Sequence, residues 1–232
     1  MAPSFDYDNR NHRPPTVVSR GLRRALPGVG RVAAQTPRYA AWWRERNLEA
    51  LERSGPLWVV LGDSMSQGIG ASSVECGWVP RVQVALADRG LPVRVLNLSF
   101  SGARVADVLE RQLPALAACA QTPAVTSVLV GSNDLLRRAL RRRLVERYEE
   151  LLDRLPAGAL VATTPGRGRL GVVAEHVAQH PQVVDVPLSF APGEVAEDRF
   201  HPDDAAYARL ARTFTQPIAG RLGRTDRTPR FA

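Results

Sequence analysis

The alternation of apolar and helical segments constrains this chain more than any other feature of its sequence. Five short apolar segments, each suited to one buried strand, lie at residues 57–61, 93–98, 125–130, 159–163 and 183–186. Stretches of helical composition lie between them at 77–89, 104–118, 135–155 and 170–179, and a last helix follows Pro202. This alternation predicts an α/β fold with a parallel sheet of about five strands and helices on both faces.

Polar and glycine residues follow three of these predicted strands. The first strand runs into Asp63 and Ser64, and Gly102 stands between the second strand and the next helix. The third strand is followed by Asn133 and Asp134. Open α/β sheets bind their ligands at the edge where the carboxyl ends of the strands meet. The sequence therefore predicts a functional site at this edge.

The stretch LGDSMSQG, residues 61–68, places two serines directly after the first strand. Ser64 or Ser66 could be a nucleophile there, or either could simply cap backbone N–H groups of the turn. A third polar pair, Asp198 and His201, appears near the end of the chain. A serine hydroxyl needs a neighbouring base to become a nucleophile, and a histidine beside a carboxylate suits that task. The blocks together favour chemistry over capping.

Taken together, the blocks resemble the motifs of the GDSL-type esterases of the SGNH hydrolase family. The matching residues, in chain order, are Gly62, Asp63, Ser64, Gly102, Gly131, Asn133, Asp134, Asp198 and His201. The resemblance covers residues 56–222, and Met65 stands where the family commonly has leucine. It implies a flavodoxin-like three-layer α/β/α sandwich and the hydrolysis of an acyl ester or thioester.

The resemblance implies a catalytic triad. Ser64 would attack the acyl carbon and carry the acyl-enzyme intermediate. His201 would accept the serine proton and later deliver it to the leaving group, and Asp198 would orient the imidazole. Pro202 suits the first position of a helix, which would hold His201 at a rigid helix entrance.

The resemblance also implies an oxyanion hole. Its donors would be the backbone N–H groups of Ser64 and Gly102 and the side-chain amide of Asn133. Glycine suits position 102 because a Cβ there would obstruct the substrate. Asp63 and Asp134 would support the site.

Three functions are compatible with these residues. A serine esterase is the leading interpretation. An acyltransferase would use the same site with an alcohol in place of water, and a binding module would keep the site only as a vestige. The complete residue set argues against the last. None of the three needs a cofactor. His176 and His180 have metal-ligand spacing beside Glu175, but no third ligand is evident, and no metal is expected.

The charge balance does not point to a particular macromolecular partner. The formal net charge is +8 and all 31 basic residues are arginine. The arginines are spread along the chain, and no nucleic-acid-binding motif accompanies them, so the expected partner is a small acyl-ester or thioester substrate and no nucleic acid. The arginine cluster at residues 137–147 is interpreted as a solvent-exposed helix face. The sequence leaves the oligomeric state open.

Hydropathy predicts no integral membrane segment, because no apolar run approaches the roughly 18 residues that a membrane span needs. The N-terminal stretch RGLRRALPGVGRVAAQ has a pair of arginines before a weakly apolar run. Arg31 and Gln35 interrupt that run. The prediction is therefore a cytoplasmic protein, with export as the minor alternative.

The predicted domain organisation has four parts. Residues 1–36, rich in Arg, Pro, Asn and Asp, read as a mobile or loosely docked arm. Residues 37–55 read as a helix that packs on the domain through apolar residues such as Trp42 and Trp43. The hydrolase-like domain spans 56–222, and residues 223–232 form a flexible tail.

Overall fold

A computed structural model describes residues 5–119, 121–136, 138–164 and 168–225. Its centre is a sheet of five parallel strands, β1 (Leu57–Gly62), β2 (Arg94–Asn97), β3 (Val125–Leu129), β4 (Ala159–Ala162) and β5 (Val183–Asp185). The strands lie in the order β2-β1-β3-β4-β5. This is the flavodoxin-like order. The predicted α/β fold with a five-stranded parallel sheet is confirmed.

β1 lies inside the sheet and is buried along its whole length. Trp58 is in register with Val95 of β2 and with Val125 of β3. Alternate side chains of β1 point to opposite faces, so that Trp58 and Val60 join one apolar cluster while Val59 and Leu61 join the other. Burial on both faces explains why the strand reads as a continuous apolar run.

Helices cover both faces of the sheet. In chain order they are α1 (Val17–Ala25), α2 (Pro27–Glu52), α3 (Ser64–Gln67), α4 (Trp78–Ala87), α5 (Val105–Asp107), α6 (Leu113–Ala118), α7 (Arg138–Arg142), α8 (Leu144–Arg154), α9 (Arg169–Gln179) and α10 (Asp204–Thr225). Buried side chains of α2, α4 and α10 form one core, and those of α6, α8 and α9 form the other. The result is a three-layer α/β/α arrangement.

The predicted helix at 135–155 is wrong in detail. A 3₁₀ turn, Ser132–Leu136, comes first, and α7 and α8 follow with a break at Arg143 (φ −98°, ψ 4°). None of the described side chains of α7 is buried, whereas α8 begins on the fully buried Leu144. Helix formation in a protein depends on packing an apolar face, so the arginine-rich turn before Leu144 is not held in line with α8.

The N-terminal region also differs from the expectation. The helix predicted to begin at residue 37 begins at Pro27, and α1 precedes it. Residues 5–13 lie on the domain, with Tyr7 and Asn9 buried. A polar segment can dock in this way when its side chains pair with backbone groups, and composition does not report such pairing.

At the other terminus, α10 continues to Thr225, so the first residues of the predicted tail are helical. Residues 226–232 of that tail lie outside the described residues. Within the described ranges, none of the helices combines the length and the apolar character that a membrane crossing requires.

Candidate active site

The turn after β1 presents Ser64 at the carboxyl edge of the sheet. Ser64 is the first residue of α3, and Asp63 caps that helix by accepting the Met65 backbone N–H (3.0 Å). Gly62 has a φ of +149°, and a Cβ there would collide with the carbonyl oxygen of Leu129. Glycine is therefore required where β1 turns into α3 beside β3.

The structure brings three of the predicted site residues into one hydrogen-bonded chain. His201 Nε2 lies 3.0 Å from Ser64 Oγ, although the two residues are 137 positions apart. His201 Nδ1 lies 2.5 Å from Asp198 Oδ2. The other carboxylate oxygen, Asp198 Oδ1, accepts the backbone N–H groups of Phe200 and His201 at 3.0 Å each. These bonds fix the position of the carboxylate beside the imidazole.

The environment keeps Asp198 ionised. Burial by itself would raise the pKa of this carboxyl, but the hydrogen bonds from the His201 side chain and from backbone N–H groups lower it to about 2. A carboxylate that is charged at neutral pH accepts the Nδ1–H of the imidazole. The opposite ring nitrogen, Nε2, is then free to accept a proton from Ser64.

Gly102 lies in the loop that follows β2, and Asn133 lies in the turn that follows β3. Gly102 has a φ of +80°, a backbone conformation that favours glycine. Asn133 Nδ2 donates to the carbonyl of Ala103 (2.9 Å), next to Gly102, and lies 3.4 Å from Asp63 Oδ2, next to Ser64. The amide of Asn133 thus stands between the two loops that carry Ser64 and Gly102.

Asp63 and Asp134 are buried below these loops. Asp134 accepts the backbone N–H of Val105 (3.1 Å) and thereby ties the Asn133 turn to the helix that follows Gly102. Burial raises the pKa of both carboxyls to about 6. Their hydrogen bonds connect the segments that follow β1, β2 and β3, so both carboxyls have a structural role beneath the site.

The raised pKa of Asp63 predicts a pH-dependent stability. In the unfolded chain this carboxyl ionises near pH 4, and in the folded protein near pH 6. Stability therefore falls as the pH rises through this window, because the unfolded state loses the proton first. We expect Asp63→Asn to be more stable relative to the parent at pH 7 than at pH 4, by on the order of 3 kcal/mol.

Urea unfolding at pH 4, 5, 6 and 7 measures this difference. Asp88→Asn serves as the control, since Asp88 is an exposed helix-terminal residue. A stability difference between Asp63→Asn and the parent that stays constant across the four pH values would show that the Asp63 carboxyl does not titrate in this window.

Two residues that the sequence analysis did not single out support the turn that carries Ser64. Gln112, fully buried, accepts the Gly62 N–H and donates to the Gly62 carbonyl, both at 2.8 Å. Ser132 Oγ donates to Asp63 Oδ2 (2.9 Å). Gln112 lies within a π-helical turn, Val108–Gln112, between α5 and α6. Ser132 occupies the variable place of the Gly-x-Asn-Asp block, so no motif draws attention to either residue.

A cleft of about 190 Å³ opens above Ser64 and His201. Its walls include Met65, Thr164, Phe190, Val195 and Phe200. The loop between β5 and α10 contributes Phe190 and Val195 to these walls. The walls are mostly apolar, and the Ser64 and His201 side chains lie at the floor of the cleft.

His176 and His180 face acidic side chains of α8. His176 Nδ1 lies 3.0 Å from Glu149, and His180 Nε2 lies 3.3 Å from Asp153. In the part of the chain that the structure describes, no three His, Cys, Asp or Glu side chains are grouped so that they could hold a metal ion. The two histidines thus form separate pairs with different carboxylates.

A comparison with protein families assigns most of the chain to one family. The model of the GDSL-like lipase/acylhydrolase family matches residues 60–209, which include all four blocks of the site. The chain belongs to this family. Because the chain belongs to this family, it is a hydrolase that acts on ester bonds.

Individual relatives agree with the family. Over 79 residues, the chain is 44% identical to Esterase TesA of Pseudomonas aeruginosa, an alignment that spans 34% of this chain and 38% of that relative. A crystal structure of TesA superposes on this chain with a TM-score of 0.57 at 30% identity, and the alignment covers 72% of this chain and 99% of TesA.

More distant structures share the fold. A family 3 carbohydrate esterase of Clostridium thermocellum has a TM-score of 0.58 at 16% identity, with 73% of this chain and 98% of that chain covered. A lipase/acylhydrolase of Enterococcus faecalis has a TM-score of 0.57 at 22% identity, with 77% and 100% covered. At such identities the similarity concerns the fold alone.

Proposed function

We propose that the chain is a serine esterase in which Ser64, His201 and Asp198 act as a catalytic triad. The observation that carries this proposal is the hydrogen-bonded chain from Ser64 Oγ through the imidazole to Asp198, with distances of 3.0 and 2.5 Å. A serine hydroxyl is a weak nucleophile at its own pKa, and a base within hydrogen-bond reach is what activates it.

In the proposed acylation step, Ser64 Oγ attacks the carbonyl carbon of the ester while His201 Nε2 accepts the hydroxyl proton. The resulting imidazolium is stabilised by the ionised Asp198. His201 then donates the proton to the leaving alcohol oxygen or thiolate sulfur, and the acyl group remains on Ser64. In deacylation, water loses a proton to His201, attacks the acyl carbon and releases the acid, and the proton returns to Ser64.

The proposed oxyanion hole consists of the Ser64 and Gly102 backbone N–H groups and the Asn133 amide. As the first residue of α3, Ser64 has an N–H without a partner inside its helix. The Asn133 amide lies between the loops of the other two donors. The two backbone donors stabilise the charged oxygen without reorganisation, whereas the Asn133 amide donates to it by giving up its long 3.4 Å contact with Asp63 Oδ2.

The substrate is proposed to carry a short acyl group. The cleft volume of about 190 Å³ is below the range of about 300–1,000 Å³ that is typical of sites for drug-sized ligands. A series of nitrophenyl esters of increasing acyl length measures this preference, and kcat/KM should be highest for the short esters. A maximum at long chains would show that the acyl group extends beyond this cleft.

A serine-reactive fluorophosphonate tests the proposed nucleophile directly. Because the probe forms a bond only with an activated serine, we expect one label per chain, located on Ser64 by peptide mass analysis. A chain that binds no label would be a binding module with an inactive site. Hydrolysis assays with and without added alcohols then distinguish an esterase from an acyltransferase, which would form the transferred ester faster than the free acid.

A further inference from the structure

The N-terminal strap, residues 7–13, crosses the carboxyl edge of the sheet next to the proposed active site. Tyr7 donates its hydroxyl hydrogen to the carbonyl of Leu98 (2.5 Å). Asn9, fully buried, donates through Nδ2 to the carbonyls of Asn97 (2.7 Å) and Ser99 (2.9 Å). These contacts attach the strap to the exit of β2, just ahead of Gly102.

Gln67 connects the strap to both loops of the site. Its Nε2 donates to the Asn9 carbonyl (3.0 Å), and its Oε1 accepts the backbone N–H of Ser101 (2.8 Å). Gln67 is the last residue of α3, the helix that begins with Ser64. The strap, the nucleophile helix and the loop before Gly102 are therefore parts of one buried hydrogen-bond network.

Arg13 extends this network to the Gly102 carbonyl and to Asp107, which follow the Gly102 N–H along the chain. Its Nη1 donates to both carboxylate oxygens of Asp107 (2.7 and 2.9 Å), and its Nη2 donates to the Gly102 carbonyl (2.6 Å). Asp107 also accepts the Arg104 backbone N–H (2.8 Å), at the start of α5. Asn11 lies against Gly102 itself, with Nδ2 only 2.7 Å from the point where a Cβ on residue 102 would stand.

These contacts restrain the peptide that carries the Gly102 N–H from both ends. The peptide before it donates through Ser101 N–H to Gln67, and the peptide after it accepts from Arg13 through the Gly102 carbonyl. Between these two restraints lies a glycine with a φ of +80° and no side chain to limit its rotation. Arg13 is thus placed to hold the direction of the Gly102 N–H.

We infer that Arg13 is a positioning residue for the oxyanion hole, acting through Gly102 rather than by touching the substrate. The inference rests on the proposed function, because it assigns the Gly102 N–H to the developing oxyanion. A donor that must be in place before the reaction loses much of its value when its orientation is free. The strap therefore completes the active site from a part of the chain that precedes the matched family segment.

The test compares Arg13→Ala with Arg10→Ala, a matched control on the same strap whose side chain is exposed. We expect Arg13→Ala to lower kcat by about 10- to 100-fold with little change in KM, a loss below the 10²–10³ of removing a donor outright. Arg13→Lys keeps the positive charge but lacks the planar fork of donors that spans Asp107 and Gly102. This variant is therefore expected to recover only part of kcat. Arg10→Ala should keep the parent kcat.

The pH profile separates positioning from other effects of the arginine. Because Arg13 is inferred to act on Gly102, the midpoint of the kcat/KM profile should be unchanged in Arg13→Ala. A shifted midpoint would mean that the arginine charge acts on His201, and a raised KM with unchanged kcat would mean that it binds substrate. Either result overturns the inference, as does an equal loss in Arg10→Ala.

Two further variants keep the outcome decisive. If Arg13→Ala does not fold, Asp107→Asn weakens the same clamp without a change in volume, and it should lower kcat in the same direction. Ser64→Ala is measured in parallel. If Ser64→Ala is inactive and Arg13→Ala has the parent kcat, the positioning inference alone fails. If Ser64→Ala is fully active, the proposed esterase site fails, and the inference fails with it.

Discussion

Ser64→Ala is expected to lower kcat for ester hydrolysis by about 10⁵–10⁶ and to abolish labelling by a fluorophosphonate. The substitution removes the hydroxyl that His201 Nε2 contacts at 3.0 Å. It leaves α3 intact, since alanine suits the first turn of a helix and the capping bond belongs to Asp63. The thermal melting temperature should therefore stay close to that of the parent.

Ser66→Ala is the matched control for this experiment. Ser66 is also buried in α3, but its hydroxyl has no hydrogen-bond partner among the described residues and lies beside Gly62. Removing an unpaired buried hydroxyl should leave stability unchanged or slightly improved, and activity should be retained. An inactive Ser66→Ala protein beside an active Ser64→Ala protein would reverse the assignment of the nucleophile.

Asp198→Asn is expected to lower kcat by about 10⁴ while KM changes little. Two backbone N–H groups hold the Oδ1 position of residue 198, so an asparagine there keeps its carbonyl oxygen on that side. Its NH₂ group then faces His201 Nδ1, which must act as an acceptor. The imidazole proton moves to Nε2, and that nitrogen can no longer accept the Ser64 proton.

Asp203→Asn is the control for the second experiment. Asp203 accepts the backbone N–H groups of Ala205 and Ala206 at the start of α10, two residues beyond His201. The substitution also removes a carboxylate from this segment, but none of the described contacts of Asp203 involves the imidazole. Asp203→Asn should therefore retain kcat. A similar loss in both variants would mean that the negative charge of the segment matters, rather than the tautomer of His201.

The sequence by itself determined the fold class and pointed to the candidate residues of the site. Five apolar segments separated by helices are sufficient for a parallel sheet, because a strand buried on both faces must be apolar throughout. The carboxyl ends of parallel strands lie along one edge, so residues 62–64, 102 and 131–134 could be expected to meet, and the resemblance to the family motifs added residues 198–201. These conclusions depend on local patterns and on the topology of the chain.

Only the tertiary structure decided where the 135–155 helix breaks and how the N-terminal strap docks. The contacts of Arg13 with Gly102 and Asp107 join residues about ninety positions apart. Such contacts leave no periodicity in the sequence, because a polar side chain is satisfied by whichever buried partner the packed core brings within hydrogen-bond distance.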